Sequence, residues 1–184
     1  MAKTFDGFSD KLRAFIDRQK VFFVATAPLG SDGHVNVSPK GLAGTFAVLD
    51  DRTIAYLDFT GSGVETIAHL RENGRICVMF CAFEGAPRIV RVHGVGDVVE
   101  PSSDEFASLR ERFEDYPGVR SIIRIRASRI SDSCGYGVPL YDYKGERDQL
   151  PRWAEKKGKD GLVKYQRDNN AESLDGLRSL LGDQ

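Results

Sequence analysis

Three histidines, three cysteines and one serine set between glycines are the residues of this 184-residue chain that could carry covalent or metal chemistry. His34 falls in a hairpin, His69 in a helical stretch and His93 within a strand, and no two of them stand at metal-ligand spacing. Each reads as a surface or satisfied core residue rather than a general base, and no metal site is expected. Cys77 and Cys81 form C-x-x-x-C without a second pair to complete a zinc site, and Cys134 makes the number odd. Such cysteines read as reduced core thiols. Gly61-Ser62-Gly63 lacks the strand-to-elbow pattern of a nucleophilic serine and has no identified base, so hydrolysis has no support. Spacing alone names no catalytic residue.

Elements must position whatever chemistry remains. Phe8, Leu12, Phe15 and Ile16 fall at helical spacing between Asp6 and Arg18. Val21 to Ala27 is a continuous apolar run, Gly30-Ser31-Asp32-Gly33 a turn, and Val35 to Ser38 alternates at period two, which predicts a β-hairpin. Thr53 to Phe59 reads as a strand. Thr60-Gly61-Ser62-Gly63 breaks it before a helix from about Val64 to Glu72, where Ser62 and Glu65 fit an S-x-x-E capping box. Arg75 to Phe83 and Pro87 to Glu100 make a central hairpin, Ser103 to Tyr116 a helix and Ser121 to Ile130 a last strand. Beyond Ile130 the chain turns rich in Gly, Tyr and Pro, then polar and at best helical from Leu150. Five or more antiparallel strands with helices at both ends point to an α+β barrel, and no strand leads into G-x-G-x-x-G as a Rossmann fold requires.

Composition narrows the partners. The chain is 41% apolar and 29% charged, an ordinary globular profile, and a chain of this length removes roughly 70% of its unfolded surface from water without disulfides or metal. The expectation is a single domain over 1–184, with 132–184 an irregular and helical C-terminal extension. A net charge of −1, from 26 basic against 27 acidic residues, disfavours a nucleic-acid role, which needs a basic surface. Charged residues among the first apolar ones exclude a secretory signal, and no apolar run approaches membrane length. A cytoplasmic protein follows as the default expectation.

The order of motifs over Val21 to Ile130 resembles the pyridoxamine phosphate oxidase-like family of flavin-binding split barrels. The pieces that carry it are Val37-Ser38-Pro39-Lys40-Gly41, Asp58-Phe59-Thr60-Gly61-Ser62-Gly63, Leu70-Arg71-Glu72-Asn73-Gly74-Arg75 and Val92-His93-Gly94-Val95-Gly96. The resemblance implies an α+β, mainly β fold, a six-stranded antiparallel split β-barrel with flanking helices. It also implies a homodimer with flavin mononucleotide (FMN) across the interface, and FMN-dependent oxidoreductase chemistry on a small-molecule substrate. In that picture the backbone at Val37 and Ser38 meets the ring edge, and the phosphate lies near Lys40, Thr60, Gly61, Ser62 and Gly63. The chemistry agrees in part, since a phosphate dianion wants exposed amides and a positive charge, which a Gly-rich turn opening a helix and a lysine supply. A plain catalytic inventory also suits a flavin enzyme, because the cofactor carries the hydride chemistry.

The sequence departs from the family at the start of the helix. Where the founding oxidases carry Ser-Arg-Lys, Val64, Glu65 and Thr66 stand here, so two positive charges are missing and Glu65 would repel a phosphate. Arg88, by its offset from Gly94, is the candidate to compensate. The founding oxidases' substrate-contacting Arg-x-His motif is absent, which argues against pyridoxamine phosphate as substrate. Aromatics of the segment Cys134 to Trp153 can wrap a partner subunit and close over a flat ring, with Tyr136 and Trp153 as the candidates. Two other readings stand beside this one: a barrel that binds flavin, deazaflavin or haem without turnover, and a cofactor-free interaction module.

Overall fold

The computed structural model describes residues 3–180. Eight strands and four helices follow in the order β1 (Lys3–Phe5), α1 (Asp10–Asp17), β2 (Phe22–Thr26), β3 (Asn36–Lys40), β4 (Phe46–Val48), β5 (Thr53–Phe59), α2 (Glu65–Asn73), β6 (Arg75–Cys81), β7 (Ile89–Val99), α3 (Phe106–Arg110), β8 (Val119–Ser133) and α4 (Gln149–Asn169). All pairings are antiparallel along the path β3-β2-β6-β7-β8-β5-β4, and β1 adds to β8. This is the mainly β split barrel expected, with eight strands in place of six. The two unforeseen strands, β1 and β4, have three residues each, too few to display a period.

Strand β8 is the spine. One edge pairs with β7 from Ile122 to Ser133, while the other is shared by β5 on its first half and β1 on its second. The sheet curls until its ends meet through side chains. Phe22 of β2 packs edge-on against Phe46 of β4 at 5.1 Å and Tyr56 of β5 at 5.5 Å, and Phe46 lies 5.1 Å from Phe80 of β6. Inward residues of every long strand, among them Val24, Ile54, Val78, Val92, Ile123 and Ile125, fill the barrel together with Leu12, Phe15 and Ile16 of α1. A second cluster lies on the outer face of β5 and β8, where Leu57 and Ile122 are covered by Phe106, Leu109, Phe113 and Tyr116.

Local expectations needed several corrections. The helix read over 103–116 is five residues long, because Arg110 turns its guanidinium onto the carbonyls of Phe113 and Glu114, and the Glu114 amide donates to Gly44 O instead of continuing a helical ladder. The S-x-x-E capping box does not form: the N-cap of α2 is Val64, without a side-chain bond, since the chain is still turning at Ser62 and Gly63. The other end follows the rule, with Gly74 at φ 70° closing α2 in the left-handed region. Of the cysteines read as core thiols, Cys81 is buried and Cys77 half-buried, but Cys134 is exposed, because it lies just past the end of β8. Helix α4 breaks at Gly158 (φ 64°, ψ 172°), so that Trp153 and Tyr165 meet edge-on at 5.1 Å. No described helix is long and apolar enough to cross a membrane.

The motif Val92 to Gly96 owes its glycines to close approach. A bulge separates His93 from Gly94 opposite β8, and a Cβ on Gly94 would lie 2.3 Å from the carbonyl oxygen of Arg126. Gly94→Ala is therefore expected to destabilise the fold by about 1–3 kcal/mol, since backbone rather than a flexible side chain must yield. Gly30→Ala, with open space around it, should stay within about 0.5 kcal/mol in the same urea melts. Equal melting of the two variants would refute this account of the bulge.

Candidate functional site

An acidic residue in the otherwise apolar strand β5 organises the site. Asp58 is 1% exposed and accepts from Arg120 Nε at 2.8 Å and Ser121 Oγ at 3.3 Å, with Lys40 Nζ at 3.6 Å. Burial by itself would raise its pKa, but the charges of Arg120 and Lys40 and the bonds from Arg120 and Ser121 outweigh burial and hold the carboxyl below its ordinary value. Tyr56, two residues back in β5, is fully buried. Burial, and then the Asp58 charge, push its hydroxyl pKa well up, so it stays protonated.

Strand β3 reverses the usual polarity of a barrel strand. Its inward residues are polar: Asn36 donates to Thr26 Oγ1 at 3.2 Å and Thr66 Oγ1 at 3.1 Å, Ser38 donates to Asn36 Oδ1 at 3.0 Å, and Lys40 reaches Asp58. Thr26 Oγ1 also meets His69 Nδ1 at 2.9 Å, and burial pushes the pKa of this fully enclosed imidazole down, so it is neutral near pH 7. The outward residues are apolar. Val37 stands beside Ala25 and Cys77 in register, and Pro39 beside Phe23 and Met79. The chain leaves this outer face of β3, β2 and β6 partly open, with Val37 62% and Val35 71% exposed. Because β3 ends the sheet, one of its backbone edges is also unpaired by any described strand. Pro39, which has no N–H to lose, suits an edge strand.

The turn after β5 is held in place by groups that sequence reasoning did not bring to it. Thr60 is 1% exposed, and its Oγ1 accepts from Gln166 Nε2 at 2.7 Å. The carbonyl of Gly61 accepts from Asn170 Nδ2 at 3.0 Å, and that of Gly63 from Arg120 Nη1 at 3.1 Å. Asn170 Oδ1 in turn accepts from Arg120 Nη1 at 2.8 Å. Arg120, Asn170 and Gln166 were missed because 50 or more residues separate them from the turn. Asp58 was legible in principle, since a carboxylate inside an apolar strand requires a buried cation. Ser62 stays exposed on the turn.

The remaining candidates are dispersed. Arg88 does not reach the turn: it opens β7 and pairs with Asp132 at 2.8 Å, under the rings of Phe15 and Phe5, whereas the Thr60 amide bonds Gly118 beside the opposite end of β8. Tyr136 is 84% exposed on the irregular segment after β8. Trp153 sits within α4 against Tyr165 and does not share a surface with Tyr136 through any described contact.

The flavin implied by the resemblance can be tested against these groups, and its two ends give different answers. An apolar outer face beside an unpaired strand edge fits a flat conjugated ring with hydrogen-bonding edges. The phosphate end does not fit. Both cations near the turn, Lys40 and Arg120, share the buried carboxylate Asp58, and Glu65 projects a second carboxylate over Gly63, where a Cβ would lie 2.5 Å from Glu65 Oε2.

Comparison with known proteins agrees with the fold. A family model described as pyridoxamine 5'-phosphate oxidase matches residues 8–134. A pyridoxamine 5'-phosphate oxidase family protein of Aspergillus flavus, ustO, is 42% identical over 192 residues, covering 96% of this chain and 77% of its own length. Among solved structures, HupZ of Group A Streptococcus is similar with a TM-score of 0.53 at 20% identity, covering 68% of this chain and 99% of that one. A protein related to general stress protein 26 from Clostridium acetobutylicum has a TM-score of 0.52 at 15% identity, with 78% and 96% of the two chains covered. An FAD-binding protein from Mesorhizobium loti has a TM-score of 0.50 at 17% identity, with 72% and 96% covered. With its barrel, its motif order and a relative at this level of identity, the chain belongs to the pyridoxamine 5'-phosphate oxidase family.

Proposed function

We propose that this protein is a homodimeric flavin-dependent oxidoreductase, which holds the flavin ring between subunits against the outer face of β3, β2 and β6 and acts on a small-molecule substrate. The observation that carries the reading is the inverted polarity of β3, which turns Asn36, Ser38 and Lys40 inward and Val37 and Pro39 outward, with the exposed Val35 just before it. An apolar outward row on an edge strand is a surface that a partner covers. Family membership supports flavin as the ring, and so does the FAD-binding protein that shares the fold. The unpaired edge of β3 at Val37 and Ser38 supplies backbone donors and acceptors for the ring edge, and the exposed Tyr136 is available to a second subunit. FMN is the form of flavin that the family implies. A reducing cytoplasm is the proposed setting for a protein with three free thiols.

The expected result for purified protein is a dimer in sedimentation that quenches flavin fluorescence saturably. Val37→Glu, which buries a charge in the covered face, should weaken dimerisation by at least about tenfold and lose the flavin with it. A wild-type monomer that still binds flavin would rule out the shared face. A Soret band in place of flavin absorption would move the assignment to haem.

A further inference from the structure

We infer that the Thr60–Gly63 turn is closed from within, by Glu65 and the C-terminal segment from Gln166 to Leu174, so that it takes no phosphate and the chain selects its ligand by the ring. In naming the ligand this rests on the flavin reading, but the closure itself stands on the geometry of the turn.

The Thr60 amide is spent on Gly118 O at 2.8 Å, and Thr60 Oγ1, Gly61 O and Gly63 O accept from Gln166, Asn170 and Arg120, which fix the turn in place beside Glu65. Asn170 is fully buried, and its amide is used at both ends, donating to Gly61 O at 3.0 Å and accepting from Arg120 at 2.8 Å. The segment beyond it is anchored along its length. Leu174 N donates to Glu65 Oε1 at 3.4 Å, His34 N donates to Asp175 Oδ2 at 2.8 Å, and Arg71 Nε donates to Ser179 O. Glu65 stands in the first turn of α2, where the helix's positive end would otherwise attract an anion.

Charge leads to the same conclusion. Lys40 and Arg120 are the cations at the turn, Asp58 and Glu65 the carboxylates, and the four sum to zero. A phosphate dianion would carry its full charge into a site with no net positive charge, next to Glu65. Neither cation is left over to make a charge-assisted contact with a phosphate, because both already face Asp58. The side chain that the family's pattern would replace with a cation is here the anion already in place.

The test uses the full chain and two probes. Inorganic phosphate is titrated while the backbone amide resonances of Gly61 and Gly63 are followed, and FMN and riboflavin are titrated separately by fluorescence quenching. Unmoved amides, and FMN and riboflavin affinities within about threefold of each other, are expected. Glu65→Lys, which exchanges the occupant carboxylate for a cation, should give FMN an advantage of at least about tenfold. A saturable phosphate shift of these amides in the wild type, or a wild-type preference for FMN of about tenfold that Lys40→Ala abolishes, would overturn the inference. A preference that survives Lys40→Ala likewise overturns selection by the ring, because the phosphate is then read by another group. If neither flavin binds, the flavin reading fails and the amide titration alone decides whether the turn is closed. A Glu65→Lys protein that binds flavin with no gain for FMN would refute Glu65 as the occupant.

Discussion

Replacing Asp58 by alanine is expected to cost about 3–5 kcal/mol of folding stability, among the largest effects of any single substitution in this protein. The carboxylate is 1% exposed and partners Arg120, itself 5% exposed, as well as Lys40. Its removal leaves the Arg120 guanidinium buried without an anion, held only by Asn170 Oδ1 and Gly63 O. The acid limb of stability follows from the same pair. The folded carboxyl has its pKa below the unfolded value of about 3.9, so its contribution is complete above that value and is lost as pH falls through the folded one. Urea midpoints measured from neutral pH down to about pH 3 should therefore fall more steeply for the wild type than for Asp58→Asn. Parallel curves would show that the pair does not contribute to acid stability.

Phe80→Ala should lose a comparable amount, about 3–5 kcal/mol, and should open the barrel as well as weaken it. Phe80 is 2% exposed and lies 5.8 Å from Phe22 and 5.1 Å from Phe46, and these rings are what joins the β2–β6 side of the curled sheet to β4. No backbone ladder connects β3 to β4 across the split, so the closure depends on side-chain packing. The rings also wall a cavity of about 210 Å³ with Leu42, a non-glycine residue at φ 74°, and truncation would enlarge it. Chemical denaturation should report the loss, and amide exchange in β4 should accelerate more than exchange in β7, which is paired on both edges. Uniform acceleration would mean that the aromatic cluster supports the core at large and not the closure.

Much of the barrel was legible because its signals are local. The apolar run around Val24, the alternation from Val35 and the long strand runs flanking Glu84-Gly85-Ala86 carry period and turn chemistry in their own residues, and β2, β3, β6 and β7 formed within a few residues of the expected bounds. The glycines of Val92 to Gly96 were recognised by their order, and close approach to Arg126 O explains why the first of them is glycine. Strands β1 and β4 escaped because three residues hold no period, and α3 was overestimated because Arg110 and Gly44, not propensity, end it.

The site was legible in its parts but not in its assembly. Lys40, Thr60 and the two positive charges missing where Glu65 and Thr66 stand are all plain in the chain, and they were enough to cast doubt on a phosphate there. That Lys40 is shared with Asp58, that Arg120 enters from the start of the neighbouring strand β8, and that Asn170 holds Gly61 O are facts of long-range packing. The amino-acid order determines which segments become strands and which way each face is coloured, because backbone periodicity acts over a few residues. Which charges cancel, and which turn is closed, depends on contacts between residues as far apart as Gln166 and Thr60, and only the folded barrel creates those neighbours.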